Sequence, residues 1–349
     1  MANNTGYRQW LRRCRLTIAP QGGGTGTVIT KLRIGFVIEK SMNDTPNYSQ
    51  ISIMNPAHSL INSVTSGDKV TLECGYENGN FGMIFTGDVV QAVLNRQDVT
   101  DRVFEIAAQD GDEYLNSSFV ATTINQGTSA DQRVDILTSG YETGILSKGL
   151  MGLSPLPRGK VMFGYSADYL RDMSTSAHSQ MYVDDGVINV AGAEDYAPGD
   201  AVELRPDTGL IGAPEHTDDG ISGQCLLNPS IKLNTLIHVD TTWVSEKLET
   251  SPPKEDDESS GSTKKQKTAL PTNGLYRIVK LTYKGDTHGD DWYCNFDAVA
   301  QDGVNAGGAG DSPSGGGNGN NGGGSGGGWN GGDGGTRTSI IKQAIDMWR

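Results

Sequence analysis

The residues best able to do chemistry lie in Gly285-Asp-Thr-His-Gly-Asp-Asp291, where Asp286 and His288 stand two apart. That spacing is the Asp-x-His ligand pair of binuclear metallophosphatases, whose further Asp, Asn and His ligands hold two ions and activate water. No Gly-Asn-His segment and no His-x-His pair accompanies it. The stretch also falls between two strand patterns, where glycine and aspartate make a turn. Glu215-His-Thr-Asp-Asp219 reads similarly as an acidic loop. Ser166, in Gly164-Tyr-Ser-Ala-Asp168, lacks the final glycine of a nucleophile elbow and is better explained as a helix N-cap. Gly152-Leu-Ser-Pro-Leu-Pro-Arg-Gly-Lys160 has the wrong spacing for a phosphate loop, and Val161 stands where Ser or Thr must ligate magnesium. Gly22-Gly-Gly-Thr-Gly26 lies between two strand patterns and reads as a hairpin loop. The four cysteines, Cys14, Cys74, Cys225 and Cys294, are at least 60 positions apart, which suggests buried thiols rather than a zinc site or disulfide scaffold. No catalytic residues, cofactor site or metal site are expected, and the chain reads as a non-enzyme.

The elements around these residues are mostly strands. Arg12–Pro20, Val28–Ser41, Tyr48–Asn55, Lys69–Tyr76, Phe81–Leu94 and Arg102–Ala108 are separated by turn residues, and alternation is clear in Lys69-Val-Thr-Leu-Glu-Cys and Val103-Phe-Glu-Ile-Ala. Six short strands so spaced predict a small barrel or sandwich. After Gly111 the pattern changes. Ser129-Ala-Asp-Gln132 is a capping box, and Ser166-Ala-Asp precedes Tyr169, Leu170, Met173 and Ala177 at helical spacing. Gln180–Val183, Asp185-Gly186 and Val187–Val190 then form a β-hairpin signature. Strand patterns return at Gln224–Leu227, Ile231–Leu233, Leu236–Val244, Tyr276–Tyr283 and Trp292–Val299.

The second β region echoes the first. Phe104-Glu-Ile-Ala-Ala-Gln-Asp-Gly111 reappears as Phe296-Asp-Ala-Val-Ala-Gln-Asp-Gly303, and Ile53-Met-Asn-Pro56 as Leu226-Leu-Asn-Pro229. The Asn-Pro pair recurs after 173 residues and the closing Phe after 192, so the second copy is 19 residues longer. The excess lies in Glu249–Lys267, a Pro- and Ser-containing run with blocks of like charge that reads as a solvated loop.

Composition sets the limits. The 349 residues carry 28 Lys+Arg against 42 Asp+Glu, a net charge of −14. Most of such a surface repels polyanions, which argues against a general nucleic-acid binder. Residues 1–38 hold six basic side chains and no acid; they either contact an acidic neighbouring subunit or decorate a first strand. No run approaches the roughly 18–20 apolar residues that span a bilayer, and Arg8, Arg12, Arg13 and Arg15 interrupt any signal-peptide core, so synthesis in the cytoplasm is expected. Eighteen of the 48 glycines fall between Gly303 and Gly335, a low-complexity tether whose r.m.s. span is roughly 30–35 Å. Beyond it, Ile340, Ile341, Ala344, Ile345 and Trp348 share one face of a predicted terminal helix that is marginal alone in water. They are candidate docking residues for a neighbouring subunit or another protein, unless the helix packs on its own body.

Several of these stretches resemble one family. Leu210-Ile-Gly-Ala-Pro214, Gly220-Ile-Ser-Gly-Gln-Cys-Leu-Leu-Asn-Pro229 and Ile231–Val239 look like the second barrel of baseplate hub proteins from contractile-tailed phages, the T4-type hub and phage late control D-like family. Gly274–Asp286, Trp292-Tyr293 and Asp302-Gly303 fit its final hairpin, and Ala167–Ala177 leading into Asp185-Gly186 resembles its middle domain. The similarity spans roughly residues 10 to 304; the charged loop, the glycine tail and the terminal helix have no general counterpart. The resemblance implies a mainly β chain with an α+β insert: two tandem tube-like β-barrel domains around a middle domain. The expected boundaries are 1–111 for the first barrel, 112–209 for the middle domain and 210–303 for the second barrel with its charged loop 249–267. A flexible linker, 304–336, and a C-terminal helix, 337–349, follow.

It further implies a homotrimer whose six similar modules form a pseudo-sixfold ring, joining a sixfold tail tube above to a threefold central spike below. Wedge or tape-measure proteins are further candidate partners. DNA enters only in transit through the lumen, and no membrane insertion or cofactor is implied. Such a protein resides in the virion baseplate after assembly in the host cytoplasm. The alternatives are a spike-base protein of a contractile secretion system, related to type VI spikes, and a metal-dependent hydrolase using Asp286 and His288.

Overall fold

A computed structural model of the chain describes residues 9–21, 23–96, 100–193, 195–217, 220–240 and 274–301. The expectations placed on 249–267, on 304–336 and on the terminal segment with Ile340, Ile341, Ala344, Ile345 and Trp348 lie outside these residues. Everything described belongs to one compact unit.

The fold is mainly β with an α+β insert. Seven strands come first: β1 (Arg12–Ala19), β2 (Thr27–Ile29), β3 (Ile34–Ser41), β4 (Asn47–Met54), β5 (Lys69–Tyr76), β6 (Phe81–Arg96) and β7 (Arg102–Asp110), with a one-turn helix α1 (His58–Ser63) after β4. The single strand expected over Val28–Ser41 is two, because the chain turns at residues 30–33 between β2 and β3. After the insert come β13 (Val202–Leu204), β14 (Leu210–His216), β15 (Gly220–Leu226), β16 (Leu236–Val239), β17 (Leu275–Asp286) and β18 (Trp292–Ala300). Ile231–Leu233, expected as a strand, is an irregular connection whose Ile231 and Leu233 are nonetheless buried.

All thirteen strands belong to one sheet. Its path is β14-β15-β18-β17-β3-β4-β7-β6-β5-β1-β2, with β16 beside β17 and β13 beside β16. Cut at the β17–β3 contact, β3-β4-β7-β6-β5-β1 and β14-β15-β18-β17-β16-β13 run in the same order, while β2, beside β1, has no counterpart among the described residues. Two further details differ. β13 pairs with β16 in parallel, whereas β1 pairs with β5 antiparallel. The register also slips by three residues: Ile53 lies opposite Phe104, but Phe296 lies opposite Gly223 and Leu226 opposite Tyr293. Side chains alternate faces along a strand, so an odd slip reverses which face a motif residue occupies. Leu227 is buried in the second half while Leu226 stays half-exposed. β13 brings the sheet in ahead of the expected boundary at Leu210.

A single apolar core runs under both halves, from Leu16, Leu72 and Phe85 through Ile38 and Ile51 to Leu281, Tyr283 and Phe296. The halves meet in seven antiparallel pairs, Lys280–Asp286 against Gly35–Ser41. Phe36 lies over Gly285, where a Cβ would come within 2.4 Å of its ring, and packs edge-on against Trp292 at 5.7 Å. Such an aromatic pair adds about 0.5–1.5 kcal/mol beyond its buried area.

The insert has its own core, built from Tyr114, Val134, Leu137, Leu150, Leu170, Val183 and Val190 among others. It holds β8 (Phe119–Ile124), α2 (Ala130–Leu137), β9 (Glu142–Leu146), α3 (Lys148–Met151), β10 (Lys160–Tyr165), α4 (Ser166–Ser176), β11 (Ser179–Asp184) and β12 (Val187–Gly192). The Ser129 capping box forms with both reciprocal bonds. Ser166 is not a cap: Tyr165 takes that place, and Ser166 is the first helical residue, buried, with its N–H donated to the Ser118 carbonyl. Asp185 and Gly186 make the expected two-residue hairpin turn, both at positive φ (55° and 82°).

Candidate assembly surfaces

Strand alternation in β3 drives Ile34, Phe36, Ile38 and Lys40 onto the core side, and Lys40 is only 2% exposed. A buried ammonium requires partners. The Asp185-Gly186 turn supplies them: Lys40 Nζ donates to Asp184 at 2.7 Å and to Asp185 at 2.6 Å. Lys232 reaches the second oxygen of Asp185 at 2.9 Å. Asp110, at the end of β7, accepts the Gly186 N–H at 2.8 Å. Asn47 donates to the Val183 carbonyl and accepts from the Ser41 N–H. The carboxylates of Asp110, Asp184 and Asp185 offer oxygens within 4.8 Å of one another, a metal-like grouping in which Lys40 serves as the cation.

The electrostatics follow from burial and neighbours. Desolvation pulls the Lys40 pKa down, but the charges of Asp184 and Asp185 more than offset it and leave it raised. Burial raises the Asp184 carboxyl; for Asp185 the two ammoniums outweigh burial and hold it below the usual range. Asp110 is pushed up to about 7, chiefly by burial and further by its two aspartate neighbours, with Lys40 opposing. This cluster ties the insert to the sheet beside the β17–β3 contact. Asp185-Gly186 reads in the sequence only as a turn, yet the alternation of β3 places Lys40 inward and is the signal that finds it.

Among the described residues, Asp286 and His288 do not belong to the grouping of acids that could hold a metal. The Asp286 carboxylate accepts the Arg33 guanidinium, at 2.8 Å from Nη2, and the backbone N–H groups of His288 and Gly289. These bonds, Arg33 foremost, hold its pKa below the ordinary value against partial burial. The residues form the turn joining β17 to β18, and His288 is exposed. Of the described basic residues in this N-terminal stretch, Arg12, Arg13 and Arg15 lie on the first strand. Arg12 donates to the carbonyls of Asp286, Gly289 and Asp290 and lies over Trp292, Arg13 lies over Phe81, and Arg15 pairs with Glu73.

Two surfaces stand out among the described residues. On the β8–β10 pair, Phe119, Val161, Phe163 and Tyr165 are 49–73% exposed, with Phe119 edge-on to Phe163 at 5.0 Å. A contiguous aromatic face of this kind marks an interaction site; it joins residues more than forty positions apart in sequence and is legible only once the two strands pair. The face of the main sheet opposite the core is polar. It carries a groove of about 480 Å³ lined by Arg33, Ser52, Asn95, Glu105 and Asp286 among others, unlike the mostly apolar pockets that hold small molecules.

An exposed aromatic face and a polar sheet suit contact with other proteins. The fold is similar to the 43 kDa tail protein of prophage MuSo2 from Shewanella oneidensis, at 11% identity and TM-score 0.53, covering 84% of this chain and 99% of that one. It is equally similar to the tail protein from Neisseria meningitidis MC58, at 9% identity and TM-score 0.53, with 84% and 98% covered. None of the curated proteins matches the sequence. Residues 27–243 match the family described as Baseplate hub gp41, and the chain belongs to that family. It is a structural component of a phage tail baseplate, not an enzyme.

Proposed function

We propose that three copies of this chain close into a pseudo-sixfold ring that joins a sixfold tail tube to a threefold central spike and leaves a lumen for DNA. The observation that supports this reading is the repeated strand order, with the two halves already joined edge to edge in one sheet. One chain then supplies two neighbouring modules, corresponding to 1–111 and 210–303, with most of 112–209 between them around a core of its own and β13 joining the second module's sheet. A ring also covers sheet edges that would otherwise template aggregation. Its bare polar face, with Gln50, Ser52, Glu105 and Lys284, would turn inward, and the chain's net charge of −14 would keep DNA from sticking in transit.

Tube, spike and wedge or tape-measure proteins are the partners this arrangement serves, with Ile340, Ile341, Ala344, Ile345 and Trp348 as candidate docking residues. Solution mass by light scattering tests the ring: three chains per particle is expected, and a stable twofold dimer refutes it. Deleting residues 304–349 tests the docking residues; undiminished assembly with tube and spike removes that assignment.

A further inference from the structure

Matching the strands of the two halves makes a further difference visible. β17 is flanked on one side by β18 and on the other by two strands in turn, β16 along Leu275–Arg277 and β3 along Lys280–Asp286. Its counterpart β6 has β7 along Asp88–Arg96 on one side, and β5 along only Phe81–Asp88 on the other. Among the described residues, no strand continues past β5 along Val90–Arg96.

One pair of side chains reports the difference. Phe104 lies opposite Leu94 in the first half, and Phe296 opposite Leu281 in the second. Both phenylalanines are buried. Leu281, beneath β3, is 0% exposed, whereas Leu94 is 39% exposed. Val90 and Val93, on the same stretch, are also exposed. An apolar half-strand with an open edge is a template for pairing with another chain.

We propose that Val90–Arg96 of β6 receives β14 of a second copy of this chain. Within one chain the seat on β17 is filled by β3; β14 holds the equivalent place in the other half and is the last strand of the sheet on its side. The expected pairing is antiparallel, as between β3 and β17. The inference rests on the ring reading and supplies its contact. Each copy offers one seat and one strand, so the contact is head-to-tail and repeats until the ring closes. With three copies, three junctions within chains alternate with three between them.

Cysteine pairing tests the assignment. Arg96→Cys and His216→Cys place thiols at an exposed and a half-exposed position, at the end of β6 and at the turn end of β14 that this pairing brings together, while all four native cysteines are buried. With a bifunctional maleimide, the double variant is expected to give a covalent ladder ending at three chains, and either single variant only monomer. Light scattering on the same sample separates the two ideas. A three-chain mass without a ladder overturns the β6–β14 assignment and leaves the ring standing; one chain at every concentration overturns both. As a second readout, Leu94→Lys should weaken trimer formation at least tenfold while the melting midpoint of the monomer stays near that of the parent. Undiminished trimer in that variant also overturns the assignment.

Discussion

Replacing Lys40 by Met removes the central cation of the buried cluster while keeping most of its volume. Two charge-assisted bonds, at 2.7 and 2.6 Å, are lost. Lys232 still neutralises Asp185, but among the described residues Asp184 keeps no cation within bonding distance. Removing one partner of a buried ion pair costs about 3–5 kcal/mol, because the other charge is left desolvated. The cost must depend on pH. Without Lys40, burial and the neighbouring carboxylates raise the folded-state pKa of Asp184 and Asp110 further above their unfolded value of about 3.9. A raised carboxyl pKa lowers stability as pH climbs from the unfolded value to the folded one. The deficit of Lys40→Met relative to the parent is therefore larger at pH 8 than at pH 5, where protonation relieves it. Denaturant unfolding at the two pH values reads the effect. Hydrogen exchange on Met181–Ile188 should show that the β11–β12 hairpin loosens first. A loss below about 1 kcal/mol, or the same loss at both pH values, would refute the reasoning that this cluster holds the insert to the sheet.

Two further substitutions probe the same region. Asp110→Asn keeps an acceptor for the Gly186 N–H without a charge; since the Asp110 carboxyl is raised to about 7, the parent loses stability between about pH 4 and 7. The variant should show a flatter melting-temperature profile over that range and a higher midpoint at pH 8, and an unchanged slope would contradict this. Gly285→Ala puts a methyl where a Cβ meets the Phe36 ring at 2.4 Å, at the contact between the two halves. Overpacking of this kind costs about 1–3 kcal/mol, measurable as a shift in the urea midpoint; no shift would show that Phe36 repacks freely.

Much of the sheet was legible because half-buried strands write their faces into the sequence. Lys69–Tyr76 is a strand with the expected bounds, and Phe81, Arg102 and Trp292 begin strands where alternation begins. The Ser129 capping box needs only four consecutive residues and was equally readable. What escaped depends on residues far apart in sequence. Lys40 meets Asp184 and Asp185 across 144 and 145 positions, and Phe119 meets Phe163 only through the pairing of β8 with β10. Ser166 carries the right chemistry for a cap, but the helix begins one residue earlier and buries it. The echo between Phe104–Gly111 and Phe296–Gly303 located equivalent strands, whereas the three-residue slip of β15 against β18 is set by packing that short motifs do not encode.

The account stands on three chains presenting six comparable modules about one axis. Electron microscopy of the purified protein, with particle images averaged without imposed symmetry, measures this directly. A threefold ring with six similar densities around a central opening is the predicted result; a ring of six chains, or a particle with only twofold symmetry, would contradict it.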